Sequence, residues 1–365
     1  MPTILDIFSG CGGLSLGAHR AGFLTALAID ADPLLSSSFC FNFPKSRLLR
    51  RDVRTVDGSV IKTLLPDGVD GVVGGPPCQA FSEMGRRAAD DPRRELVREY
   101  FRMVRLIRPK FFLFENVRGL GFAENRHLLD DGLSMLPSSW TIVGPQVLNA
   151  ADFGAPTRRL RLFVFGFDRN AVDPPSADDL FAKPGTATTV CDAIGDLASA
   201  AFLGDDERGF DFWKYDGRRR VSAYASKMRS RSGRFTGHRK TKHTKGTLDR
   251  FAKLQPGQND KVGKYARLTW NGLCPTLRAG TGSDRGSYQA VRPIHPSEDR
   301  VITPREAARL QGFPDDFLFH PTVWHSCRMI GNSVSPIIAE VLLKRIAFAL
   351  KSSGANEERS LQAAE

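Results

Sequence analysis

The chain has 365 residues, 41% hydrophobic and 25% charged, which is ordinary for a globular protein and long enough for two domains with real cores. No apolar run is long enough to cross a bilayer, and Met1-Pro2-Thr3-Ile4-Leu5-Asp6 shows no basic segment leading into an apolar core, so membrane insertion and export are both unexpected. Lys and Arg number 52 against 40 Asp and Glu, a formal net charge of +12, which points to a polyanionic partner.

In chain order, residues 3–8 read as a short apolar strand, 14–21 as a helix and 24–30 as a second strand. Pro33, placed where a first turn tolerates it, predicts a helix over 33–42. Residues 71–74 form another strand, and the spacing of Leu96, Val97, Phe101, Val104, Leu106 and Ile107 predicts a helix over 93–108. Phe111-Phe112-Leu113-Phe114 is a continuous apolar run, as in a strand covered on both faces. Residues 141–148 and 161–167 follow as strands. This βαβα rhythm implies an α/β fold: an open, largely parallel sheet covered by helices, with ligands at the carboxyl ends of the strands.

The pattern fades after Phe167. Residues 169–210 are rich in Pro, Asp, Gly and Ala, and 211–300 are basic and Gly-rich without a clear period, which suggests a second, smaller, loop-rich domain. Arg218, Arg219, Arg220, Lys227, Arg229, Arg231 and Arg234 crowd this stretch, as does the basic run 238–245. Such charge supplies affinity for phosphate but no sequence discrimination. A helix over 303–311 precedes Gly312-Phe313-Pro314, and an amphipathic helix over 336–350 is expected to pack back on the first domain. The six cysteines (11, 40, 78, 191, 274, 327) form no CxxC pair, which argues against a disulfide framework and a zinc ribbon. His238 and His243 have no cysteine near them and read as solvent-exposed basic sequence. The expectation is a reduced, cytoplasmic, metal-free protein.

Cys78 is the candidate nucleophile. It lies in Gly74-Gly75-Pro76-Pro77-Cys78-Gln79-Ala80-Phe81-Ser82, a proline-stiffened turn at the end of a strand. The two prolines fix φ and remove backbone donors, while the glycines admit a close ligand. A second candidate loop is Asp6-Ile7-Phe8-Ser9-Gly10-Cys11-Gly12-Gly13, between the first strand and first helix. Its glycines let backbone approach a ligand, and Asp30, ending the second strand, can accept from ribose hydroxyls. Ser15 stands where a dinucleotide fingerprint would have its third glycine, and no Gly-Lys-Ser/Thr phosphate loop exists. With Asp52, these features suggest a nucleoside-bearing ligand without a pyrophosphate, such as S-adenosylmethionine.

Six segments then fall in one order: the loop from Asp6 to Gly13, Gly75-Pro76-Pro77-Cys78-Gln79, Glu115-Asn116-Val117, Thr157-Arg158-Arg159-Leu160-Arg161, the stretch from Arg305 to Pro314, and Gly331-Asn332-Ser333-Val334. Together they resemble the DNA (cytosine-5)-methyltransferases. The resemblance implies a Rossmann-like catalytic and cofactor-binding domain from residues 1–168 and 329–352, and a target-recognition domain from 169–328. It implies Cys78 as the thiolate that adds to carbon 6 of cytosine, Glu115 as the carboxyl engaging N3, Arg161 as the arginine reaching the base carbonyl and Arg159 as its support. It maps Phe8, Gly10, Gly13, Asp30, Asp52, Pro77, Leu96, Asn332 and Ser333 onto the methyl-donor pocket, with Asp52 at the adenine amino group. Residues 79–95, with Ser82, Arg86 and Arg87, would fold over DNA, and the target cytosine would be extruded from the duplex.

Arg278, Arg285 and Arg292 are candidate readers of guanine, with contact to phosphate or solvent as the alternative. Two positions depart from the family: Ala31 where an aromatic often follows the acidic residue, and Thr157 where Gln is usual. The implied protein is a monomer acting on double-stranded DNA, with a possible cognate restriction endonuclease. Alternatives are a tRNA cytosine methyltransferase of the same fold, a catalytically silent nucleic-acid-binding homologue, and a nicotinamide oxidoreductase, the last disfavoured by Ser15.

Overall fold

A computed structural model describes residues 1–77, 95–185, 187–217, 220–280 and 292–362, with side chains to residue 353. Cys78, Ser82, Arg86, Arg87, Arg218, Arg219 and Arg285 lie outside the described residues. The first half runs β1 (Thr3–Ile7), α1 (Gly13–Arg20), β2 (Leu24–Ile29), α2 (Phe39–Asn42), β3 (Arg47–Leu49), α3 (Gly58–Leu64), β4 (Gly71–Gly74), α4 (Glu95–Ile107), β5 (Phe111–Asn116), α5 (Ala123–Leu133), β6 (Trp140–Asn149) and β7 (Leu160–Asp168). The remainder adds α6 (Ala177–Phe181), α7 (Val190–Ile194), β8 (Ala201–Asp205), β9 (Asp211–Lys214), α8 (Ala223–Met228), β10 (Arg234–Thr236), α9 (Lys245–Ala252), α10 (Pro304–Gln311), α11 (Val323–Asn332) and α12 (Pro336–Gln362).

The main sheet has the order β3-β2-β1-β4-β5-β7-β6. Its first five strands are parallel, and β7 runs antiparallel to both neighbours. Alternation along β5 explains its unbroken apolar run. Phe111 and Leu113 join the core shared with α1 and α12, while Phe112 and Phe114 join the core shared with α4 and α5. The α/β fold read from the sequence is therefore the one observed. The C-terminal helix α12 packs on α1 through Ile338, Ala339 and Leu342 against Leu14 and Ala18. Beyond the main sheet, β8, β9 and β10 form a small antiparallel sheet in the region read as loop-rich.

Two local readings are corrected. Pro33 does not open a helix over 33–42: Asp32 Oδ1 accepts from the backbone of Leu34 and Leu35 in a turn, and only Phe39–Asn42 is α-helical. An aspartate side chain that captures these amides competes with helix formation. Nor is His238 a solvated basic residue. It is 1% exposed, with Nδ1 at 3.0 Å from Thr303 Oγ1 and Nε2 at 3.2 Å from the carbonyl of Leu197. His243 is half-buried, its Nε2 accepting from Val301 N and its ring edge-on to Phe251.

Candidate active site

The sheet register assembles the site. Ile7 pairs with Ile29 and with Gly74, and Gly74 with Phe114, so the next residues Phe8, Asp30, Gly75 and Glu115 emerge side by side at the carboxyl edge. They line one cavity of about 410 Å³. That volume lies within the usual range for a small-molecule site. All nine residues expected at the donor pocket line it, namely Phe8, Gly10, Gly13, Asp30, Asp52, Pro77, Leu96, Asn332 and Ser333, together with Glu115 and Arg161. Leu96 comes from α4, and Asn332 and Ser333 from the end of α11.

Segments more than three hundred residues apart in the chain meet at this cavity. A Cβ on Gly13 would lie 2.4 Å from the carbonyl oxygen of Val334, so only glycine lets α1 start so close to the returning segment. Ser333 Oγ donates to Met329 O at 2.7 Å and lies 3.0 Å from Cys11 Sγ, while Gln311 Nε2 donates to Ser333 O at 2.8 Å. Burial pushes the Cys11 thiol up to about 12, so this sulfur is an inert wall.

Asp30 is nearly buried. Its Oδ2 accepts from Gly10 N and its Oδ1 from Asp32 N, both at 2.7 Å, and burial pushes its carboxyl up to about 6 against those bonds. Asp6 is fully buried, its Oδ2 accepting from Ser15 Oγ at 2.6 Å, and burial raises it to about 7. Ser15 thus spends its hydroxyl on the first strand. Asp52 is held below the usual carboxylate range by hydrogen bonds from Arg54.

Glu115 is buried beside Arg161, with Arg161 Nε 3.0 Å from Oε1. Burial raises its carboxyl, and the charges of Arg161 and Arg159 oppose that rise. A Cβ on Gly75 would sit 2.6 Å from Glu115 Oε2. Asn116 Nδ2 donates to Pro76 O at 3.1 Å, fixing the turn that leads toward Cys78. Arg159 does not line the cavity. It is buried behind it, donating through Nη1 to Leu277 O at 3.0 Å and through Nη2 to Gly331 O at 2.9 Å. Thr157, also buried, donates to Cys274 O at 3.3 Å. Arg292 donates to Thr241 Oγ1 and Ile302 O, whereas Arg278 is exposed.

The sequence reading missed several wall residues, Asp32, Arg51 and Arg328, and named Asp6 only as part of its loop. Arg328 had a findable signal, since it precedes Asn332 by one helical turn on α11. Five carboxylates (Asp6, Asp30, Asp32, Asp52, Glu115) and three guanidinium groups (Arg51, Arg161, Arg328) line a cavity in a strongly basic protein. Glu115 pairs with Arg161 and Asp32 with Arg328, so the carboxylates still outnumber the guanidinium groups, a lining better matched to a cation than to a pyrophosphate. Among the described residues no cluster of metal-ligating groups is present, and no helix is long and apolar enough to cross a membrane.

A family model for C-5 cytosine-specific DNA methylase matches residues 2–347. The Type II methyltransferase M.XorII of Xanthomonas oryzae pv. oryzae is 40% identical over 370 residues, covering 96% of this chain and 85% of that protein. The Type II methyltransferase M.DdeI of Desulfomicrobium norvegicum is 32% identical over 387 residues, covering 95% and 88%. A solved structure described as a prophage-encoded DNA modification methyltransferase (E. coli) superposes with TM-score 0.83 at 36% identity, over 96% of this chain and 100% of that one. The Dnmt2 methyltransferase of S. pombe, at TM-score 0.64 and 18% identity over 96% and 99%, shares the fold.

Proposed function

The chain belongs to the C-5 cytosine-specific DNA methylase family and is a DNA cytosine-5 methyltransferase of the restriction–modification type; on that premise we propose that it works through a transient thioether at Cys78 on a cytosine turned out of the duplex. The observation that carries this reading is the shared register row, which sets Glu115 beside the donor cavity and against the Gly75-Pro76-Pro77 turn that leads into Cys78.

The family uses S-adenosylmethionine, and the residues fit it. Phe8, Gly10, Gly13, Leu96, Asn332 and Ser333 would surround it, Asp30 would accept from ribose hydroxyls and Asp52 from the adenine amino group. When bound, it supplies an electrophilic methyl on a sulfonium, which the activated carbon 5 takes up.

The chain's own part starts from the weakness of carbon 5 as a nucleophile. The Cys78 thiolate adds to carbon 6 and pushes electron density to carbon 5. Glu115, raised by burial, is suited to hydrogen-bond or protonate N3 and so offset the charge that builds in the ring. Arg161, paired with Glu115 in the structure, would engage the base carbonyl. Arg159 acts as a support, tying β7 to residues 277 and 331. A base then removes the carbon-5 proton and the thiolate leaves. A stacked cytosine cannot present carbon 6, so extrusion is required.

Residues 1–168 and 329–352 act as the catalytic and donor-binding domain, and 169–328, with the small sheet, as the part that grips duplex DNA. The protein acts as a cytoplasmic monomer, paired with an endonuclease of the same specificity.

Duplex DNA carrying 5-fluorocytosine at the methylated site tests the mechanism. A denaturant-stable protein–DNA adduct is expected with the unaltered protein and none with Cys78→Ala, which should still bind DNA. No adduct at a verified target site would sink the covalent route.

A further inference from the structure

Arg328 is a cation of the donor cavity that the methyl-transfer reading leaves without a task. Its Nη2 donates to Asp32 Oδ2 at 3.0 Å, an ion pair that joins α11 to the turn following β2. Its guanidinium carbon lies 5.6 Å from the centroid of the Trp324 ring. Arg328 lines the cavity, whereas Trp324 is not among its lining residues. The apolar lining residues between Ile29 and Val53 are Ile29, Ala31, Leu35 and Val53, all aliphatic, and Ala31 contributes a single methyl. Phe8 is the one aromatic ring among the described lining residues. A flat heteroaromatic held on the Asp30 and Asp52 side therefore finds no second ring to lie against.

A guanidinium can take that place. It is planar, weakly hydrated and can lie flat on an aromatic face, whereas an ammonium offers only a strongly hydrated point charge. Asp32 fixes its position, and Trp324 backs it. If Arg328 merely balanced the charge of Asp32, any cation of similar reach would serve equally well, and nothing would require a plane.

The geometry points to Arg328 as the residue that covers the adenine of the methyl donor, its guanidinium stacked between that base and Trp324 and held by Asp32. This rests on the methyl-donor reading of the cavity and adds to it a determinant of donor affinity.

Calorimetric titration of S-adenosylhomocysteine into the unaltered protein, Arg328→Ala and Arg328→Lys tests it. The alanine variant should bind about tenfold more weakly, the worth of a desolvated cation–π contact. The lysine variant, which keeps the charge and can still pair with Asp32, should recover little of that loss. For both, the donor KM should rise while kcat at saturating donor and the KM for DNA stay within about threefold. Unchanged affinity in Arg328→Ala, or full recovery in Arg328→Lys, would overturn the stacking role. Thermal melts without ligand separate lost folding from lost contact, because Arg328→Lys keeps the Asp32 pair. Failure of the unaltered protein to bind S-adenosylhomocysteine would instead remove the methyl-donor reading itself.

Discussion

The hydrogen atom that serves as the side chain of Gly75 decides where the carboxyl of Glu115 can rest. Since a Cβ there would come within 2.6 Å of Oε2, Gly75→Ala must push the carboxylate off Arg161 or tilt the turn that leads to Cys78. We expect kcat to fall by about 10²-fold with DNA affinity nearly unchanged, read by single-turnover methylation and filter binding. Glu115→Gln keeps the shape but cannot give up a proton, and should cost between about 10² and 10⁴ in kcat. Asp30 makes a pH prediction. Its carboxyl, raised to about 6, must be ionised to accept fully from ribose hydroxyls, so donor affinity should fall as pH drops through that value. Titration calorimetry from pH 7.5 to 5 should show that fall in the unaltered protein and a weaker affinity with a smaller fall in Asp30→Asn, where Asp6, raised to about 7 in the same cavity, still titrates. A fall of the same shape in Asp30→Asn would exclude Asp30 as its source.

Elements differ in how openly the sequence declares them. Strands β1, β4 and β5 were legible because burial on both faces demands unbroken apolar runs. Helix α5 was not, since its buried positions include Asn125 and Gly132 beside Leu129, which carries little period. Strand β3 spans three residues at the sheet edge and is hardly a pattern at all. The helix over 303–311 was readable from Thr303, and the structure adds a capping box: Thr303 Oγ1 accepts from Glu306 N, and Glu306 Oε2 from Thr303 N. What no pattern could announce is the buried ion network on that helix. Arg309 pairs with Asp315 at 2.6 Å and Asp196 at 3.1 Å, all essentially unexposed, joining α10 to the segment following α7. Without the charge of Asp315, Arg309 is left to share Asp196 with Arg229, and buried Arg305 loses its nearest carboxylate, so Asp315→Asn should destabilise by about 3 kcal/mol or more, measured by urea unfolding. A loss near zero would mean that water reaches Arg309.

For the molecule as a whole, the basic run that first suggested nucleic acid divides into two kinds of residue. Arg239 pairs with Asp205, and Lys240 with Glu298 at 2.6 Å, while His238 is buried in the fold. Lys242 and Lys245 are exposed, and no ion pair is found for them among the described residues. If they meet phosphate, replacing both by Gln should lower the slope of log K against log salt by about 2, close to 0.9 per contact. Replacing Lys240 alone should change the slope less. An unaltered slope in the double variant would place DNA elsewhere. Total charge was therefore visible in the sequence, but its division into structural and free cations was not, because pairing depends on carboxylates far along the chain.

The meeting of Gly13 with Val334 has a further consequence for how the protein comes into being. Residues 8–13 are translated more than three hundred residues before the opposite wall of their cavity. Until that segment is made, the cavity for the methyl donor lacks one of its walls. Modification of DNA therefore cannot begin on nascent polypeptide; it waits for the closing turn of α11 to arrive.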